Sequence, residues 1–262
     1  MRQLSCAGRR GFTLTARGTY QTAERRRFVA WLVACSLLGL LLLLDLGFIS
    51  RHVLLVDTQR GLWNLESDAG YPEKFQYLKW LGASVLLLAL AVRRRAALYV
   101  GWAVIFCYFL VDDATSIHER WGGRFAAELH LDRLQQVYLT WFPGLFLRPQ
   151  DFGELTVMLI VAAAIVTILV LTWPTPDAIR ERIVTKWLIA WLGLFALFAV
   201  VADMVHIMVS DPATVFPRAF HWLALAEDGG EMICASLLVG GLAMTFVHFS
   251  AVPIFGLRRP QA

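Results

Sequence analysis

Tyr108-Phe109-Leu110-Val111-Asp112-Asp113-Ala114-Thr115-Ser116-Ile117-His118-Glu119-Arg120-Trp121 decides how the chain is read: an apolar run ends in two aspartates, with a histidine and a glutamate close behind. A charged side chain in hydrocarbon costs about 3 kcal/mol even on the mildest scale. Such residues therefore sit at the edge of the membrane or serve a purpose inside it. The pattern recurs at the ends of two later apolar runs, as Asp203 with His206 and as Glu227, Asp228 and Glu231, and Asp45 sits similarly in the first run.

The surrounding composition fixes the class. Of 262 residues, 58% are hydrophobic, mean hydropathy is +0.60, and several apolar runs approach the roughly 20 residues that cross a bilayer as a helix. An ordinary soluble domain is excluded. The net charge of +4 does not indicate a nucleic-acid partner, because the basic residues are scattered among short segments between apolar runs, where they act as topology signals. Cys35, Cys107 and Cys234 lie in apolar runs and Cys6 in the basic N-terminal stretch, so no disulfide framework is readable. Leu32-Val33-Ala34-Cys35 matches a lipoprotein box, but the longest leucine run follows it, and the first span reads as a retained anchor.

The spacing predicts an all-α integral membrane protein, a six-transmembrane-helix bundle with spans of about 28–49, 75–92, 96–117, 154–173, 187–209 and 229–249. They form one transmembrane domain, 28–250, between a loosely ordered basic tail, 1–27, and a short tail, 251–262. In the longest loop, 118–153, Phe125, Leu129, Leu134, Tyr138, Trp141 and Phe142 recur at helical spacing. This predicts an amphipathic helix, either lying in the interface on the outer face or packed on the outer ends of the spans. Residues 213–226 read as a second interfacial piece. Six spans put both termini on one side, and the four segments on that side hold 15 of the 24 Lys and Arg residues. The positive-inside rule makes that side cytoplasmic. The expected location is the plasma membrane or a bacterial inner membrane.

Depth and dipoles single out the acids. At about 1.5 Å per residue, Asp45, Asp112 and Asp203 lie about 25 Å from the inner ends of their spans, just below the far boundary of a roughly 30 Å core. Glu231 reaches a similar level from the other direction. Asp45, Asp112, Asp113 and Asp203 also occupy C-terminal helix ends, where a negative charge is unfavourable unless a cation compensates it. Asp228 and Glu231 have the spacing of an N-cap and its capping-box partner, as do Asp151 and Glu154; the first pair is open between cap and site, the second reads as a cap.

Asp112, Ser116 and Glu119 share a stripe if the helix stays regular, whereas His118 either folds back over the site or is an ordinary interfacial histidine. Asp203 and His206 share a face, as do Glu227 and Glu231. Carboxylate and imidazole one turn apart is a spacing that metal sites in bundles use, and the donor set suits zinc, iron or manganese. The expected metal ligands are Asp112, Glu119, Asp203, His206 and Glu231, with His118 or Glu227 as a further ligand or general base. The alternative is that these acids are hydrated or paired with Arg120, Arg124 or Arg218. Metal hydrolases of the alkaline ceramidase and adiponectin-receptor superfamily carry a late His-x-x-x-His pair that this chain lacks.

The function read from this pattern is a metal-dependent membrane enzyme, hydrolase or oxidative, acting on a lipid or lipid-linked substrate. The rivals are a non-catalytic accessory or assembly subunit, whose acids meet a membrane-protein partner or a second copy, and a cation or proton transporter. Few polar residues occupy the inner halves of the spans, which counts against transport.

Overall fold

Hydrocarbon offers no partners for backbone amides, so each apolar run must satisfy its own as a helix. The computed structural model describes residues 9–54, 61–67, 70–143, 145–209 and 219–250, with side chains from Glu24 onward except 219–221. The elements are α1 (Arg9–Leu54), α2 (Tyr71–Arg94), α3 (Ala97–Thr115), α4 (Ile117–Glu128), α5 (Asp132–Trp141), α6 (Pro149–Leu171), α7 (Ile179–Ala196), a π-helical segment (Leu197–Ala202), α8 (Asp203–Val209) and α9 (Ala219–Ser250). No strand occurs among the described residues. Six helices are long and apolar enough to cross a membrane: Glu24–Leu54, Tyr71–Arg94, Ala97–Thr115, Pro149–Leu171, Ile179–Val209 and Trp222–Ser250.

The last of these is the axis. It has 56% of its most apolar window buried, against 11% for the first and 17% for the fourth, and it packs on α1, α2, α7, α8 and the π-helical segment. Close approach needs small residues. A Cβ on Gly240 would stand 2.7 Å from Leu38 Cδ1, and one on Gly241 2.5 Å from Trp187 Cζ2, so these two positions let α1 and α7 close onto α9. Between α2, α3 and α7 lies a wall of rings: Trp80 stacks on Phe106 at 5.9 Å and meets Phe195 edge-on at 5.1 Å, while Phe106 meets Trp191 at 5.4 Å. The Trp191 Nε1–H donates to the Cys234 carbonyl at 2.7 Å and ties that wall to α9.

A buried ion pair locks three helices together. Lys79 of α2 and Asp45 of α1 meet at 2.5 Å; the Ser236 hydroxyl donates to the other Asp45 oxygen at 2.5 Å, and Lys79 also donates to the Met232 carbonyl at 2.9 Å. Every side chain in this lock is almost or fully excluded from the surface. Asp45 is thus neutralised within the fold. Sequence reasoning placed it with the site acids because it overlooked Lys79, whose long stem reaches across the helix interface.

Several expectations need correcting. Residues 9–27 are not a loose tail: helix continues back from the first span, since elongating an existing helix needs no new nucleus. The amphipathic segment of the 118–153 loop is two helices, split at 129–131 where His130 takes a left-handed φ of 51°. Of these, α4 packs on α6, whereas α5 has no buried residue. Residues 219–226 are the first turns of α9 rather than a separate interfacial piece, and 210–218 lie outside the described residues. Asp228 and Glu231 therefore sit well inside a helix, where no free amides need a cap. At α6 the cap is real but shifted: Asp151 is the third helical residue, accepts from the Arg148 amide at 2.6 Å and pairs with the Arg148 side chain. Glu154 is left for other work.

Candidate functional site

The end of α3 is bent by Ser116, whose φ of 45° and ψ of 50° break the helix after Thr115. The break destroys the regular stripe on which Asp112 and Glu119 were expected together: Glu119 is exposed, and His118 turns back instead. The His118 Nδ1–H donates to Asp112 Oδ2 at 2.9 Å, and the His118 amide donates to Asp112 Oδ1 at 3.0 Å. Both oxygens of a buried aspartate are thus spent on positioning one imidazole. Burial works against a charged His118 ring, but the hydrogen bond and charge of Asp112, with Glu119 and Glu154 behind it, outweigh that and hold its pKa above the ordinary value. Asp113 points the other way and accepts from Trp80 Nε1 at 2.6 Å.

Two glycines seat this half of the site. A Cβ on Gly153 would lie 2.0 Å from the Gly122 carbonyl oxygen, and a Cβ on Gly122 would lie 2.4 Å from Glu154 Cγ, so α4 and α6 touch backbone to backbone. That contact brings buried Glu154 within electrostatic reach of His118 and Glu119. Its carboxylate accepts from Gln150 Nε2 at 2.7 Å.

The second half comes from the fifth and sixth spans. The π-helical turn at Leu197–Ala202 inserts extra backbone just before Asp203 and so re-aims α8, a device found often at functional sites. His206 Nδ1–H donates to Glu227 Oε2 at 2.7 Å. Asp203 is within hydrogen-bond reach of Glu227, and Glu154 and His206 are among its charged neighbours. Glu231 has Asp113, Asp228, Glu227 and Asp203 around it. Through Glu154 and Glu231 the two halves come within electrostatic reach of each other, an acidic basin with two histidines. Arg148, held by Asp151, stands at its edge.

Of the expected site residues, Asp112 with His118 and Asp203 with His206, Glu227 and Glu231 are brought together, while Glu119 is peripheral. Sequence reasoning missed Glu154, read as a cap, and Glu66, which the structure places near His206 and Asp228 and 3.8 Å from His52 Nε2. Only the low hydropathy around Glu66 was visible in the sequence, and it points to a loop. Among the described residues, no three His, Cys, Asp or Glu side chains are grouped closely enough to hold a metal ion as they stand.

Chemically, the His118 and His206 rings each donate the Nδ1 proton to a carboxylate, so in the neutral form the lone pair is at Nε2. Two carboxyl groups as close as Asp203 and Glu227 require a proton or a cation between them. No curated protein and no solved structure matches the sequence. Residues 74–246, which carry every expected site residue, match the family described as a domain of unknown function, DUF8692, and the chain belongs to that family.

Proposed function

We propose that the chain is a membrane enzyme, a hydrolase or an oxidative enzyme, acting on a lipid or lipid-linked substrate at one membrane boundary. The supporting observation is the convergence of Asp203, Glu227, Asp228 and Glu231, from two spans, on one basin that also holds the His118–Asp112 and His206–Glu227 pairs. A membrane boundary does not hold that many neighbouring carboxylates as free anions; protons or a divalent cation must offset them. The donor set of imidazole and carboxylate suits zinc, iron or manganese, with Asp203, His206 and Glu231 as ligands from the fifth and sixth spans and Asp112 and Glu119 from the α3–α4 side. Such a metal would acidify water or bind oxygen at the boundary. His118, aligned by Asp112, takes the role of general base, and Glu227 orients His206. Both termini are cytoplasmic in this reading, which places the basin at the outer leaflet, where α5 lies in the interface with Trp141 towards lipid.

Elemental mass spectrometry on the detergent-purified full chain tests this. The expected result is near-stoichiometric zinc, iron or manganese that disappears in Asp203→Ala/His206→Ala at matched thermal stability. A folded, metal-free wild type purified without chelators would remove the metal from the reading. The absence, among the described residues, of three His, Cys, Asp or Glu side chains grouped closely enough to hold a metal ion favours the second reading, a non-catalytic accessory subunit. That reading expects Asp203→Asn and His206→Ala each to be tolerated, with loss only on reversing several charges. The ring wall of Trp80, Phe106 and Trp191 beside the Asp45–Lys79 lock leaves little polar path for transport.

A further inference from the structure

At the opposite end of the bundle from the acidic basin, α1, α7 and α9 leave a groove of about 270 Å³ between them. Trp31, Ile183, Val184, Met244 and Phe249 form its walls. Thr245 also lines it, but its hydroxyl donates to the Gly241 carbonyl at 2.8 Å, so the groove sees little beyond its methyl group. Arg180 and His248 stand in the same lining, and both are exposed. Among the described residues, no acid lines the groove. The nearest carboxylate in sequence, Glu181, is already engaged by Arg94 at 2.6 Å, which leaves it unable to offset Arg180. An apolar slot ending in uncompensated basic groups, at the end of a membrane-spanning bundle, has the polarity of a phospholipid with an anionic head.

We propose that this groove binds one acyl chain of an anionic phospholipid, with Arg180 and His248 donating to the phosphate. Its size favours that occupant over a protein: a stable protein partner needs about 800 Å² of surface on each side, whereas a groove of about 270 Å³ takes a segment of one acyl chain whose remainder lies in the surrounding lipid. The site is separate from the acidic basin and does not depend on what that basin does.

Native mass spectrometry of the full chain in detergent tests this, titrating phosphatidylglycerol against phosphatidylcholine with the same acyl chains. The expected result is one phosphatidylglycerol retained about tenfold more tightly than phosphatidylcholine. Arg180→Gln, at an exposed position, lowers phosphatidylglycerol retention about fivefold, the weight of one basic group at a lipid surface, with an unchanged melting temperature. Ile183→Trp, which fills the slot from its exposed rim, lowers retention of both lipids. Equal retention of the two lipids by wild type, or phosphatidylglycerol binding untouched by Arg180→Gln, overturns the proposal. So does displacement of the lipid by millimolar inorganic phosphate, which would make this a site for a free anion. A dimer lost in Ile183→Trp would assign the groove to a second copy of the chain and also overturn it.

Discussion

Replacing Lys79 by methionine keeps the length of the side chain and removes its charge, which strands the Asp45 carboxylate in a closed interior. Asp45 then keeps only the Ser236 hydroxyl, and the Met232 carbonyl loses the Lys79 donor. Breaking one side of a buried pair costs about 3–5 kcal/mol. The variant has an escape: taking up a proton. For a carboxyl of ordinary pKa near 3.9, protonation at pH 7 costs about 4 kcal/mol at 1.36 kcal/mol per unit, which caps the damage within the same range. The penalty must therefore shrink as pH falls, by about 1.4 kcal/mol per unit, to about 1.5 kcal/mol at pH 5. Asp45→Asn/Lys79→Met removes both charges and leaves an amide beside Ser236, so it should lie within about 2 kcal/mol of wild type at pH 7. Equilibrium unfolding in mixed micelles, followed by tryptophan fluorescence, gives all three stabilities. A Lys79→Met variant within about 1 kcal/mol of wild type at pH 7, or a double variant no more stable than the sum of its singles, refutes the reasoning.

At the α4–α6 contact, Gly153→Ala forces a methyl group to within 2.0 Å of a backbone oxygen that has no flexible end to yield. Hydrogen exchange over 117–128 is expected to rise at least tenfold with α2 and α3 unchanged; unchanged exchange in α4 would show that the two helices do not meet there. The His118–Asp112 pair carries a pH signature. Because the folded His118 pKa is held above its ordinary 6.5, its stabilising contribution is fully present below about pH 6.5 and is lost as pH rises through the raised folded value. Asp112→Asn should flatten that part of the stability profile and lower the His118 titration midpoint by NMR; a midpoint unmoved by the substitution contradicts the pairing.

The spans were legible because hydrocarbon imposes a length and a composition that any reader can measure; the helix ends were less so, since α1 and α9 run well back before their apolar runs while α3 stops short of its expected end. The site was legible by depth but not by direction. Asp112 and Asp203 were found because acids in apolar runs are conspicuous. Their partners depended on breaks in helical periodicity, the left-handed Ser116 and the π-helical turn before Asp203, and neither has a composition that announces it. Regular extrapolation put Glu119 on the Asp112 face and left His118 undecided. Lys79 stayed hidden because one lysine near the start of an amphipathic span looks like an interfacial anchor until a carboxylate on another helix is seen beside it. Glu154 was mistaken for a cap because its spacing from Asp151 satisfied a local rule, while the tertiary contact through Gly122 and Gly153 gave it a different task.

The two halves of the basin are mounted differently. Glu227, Asp228 and Glu231 lie on the helix that the Asp45–Lys79–Ser236 lock fixes to α1 and α2; Glu231 directly precedes Met232, and Asp228 and Glu227 lie about one turn before it. His118 and Glu154 ride on the α4–α6 contact, at the periphery of the bundle, where α6 has little of its length buried. The halves meet through charged groups: Glu154 towards Asp203, and Asp113 towards Glu231. Like charges across such a seam repel, so whatever offsets them, a proton or a divalent cation, also draws α4 and α6 onto the locked core. Occupancy of the basin and closure of its peripheral half are therefore linked by the same electrostatics, and a ligand that neutralises the seam must raise hydrogen-exchange protection in α4 more than in α2.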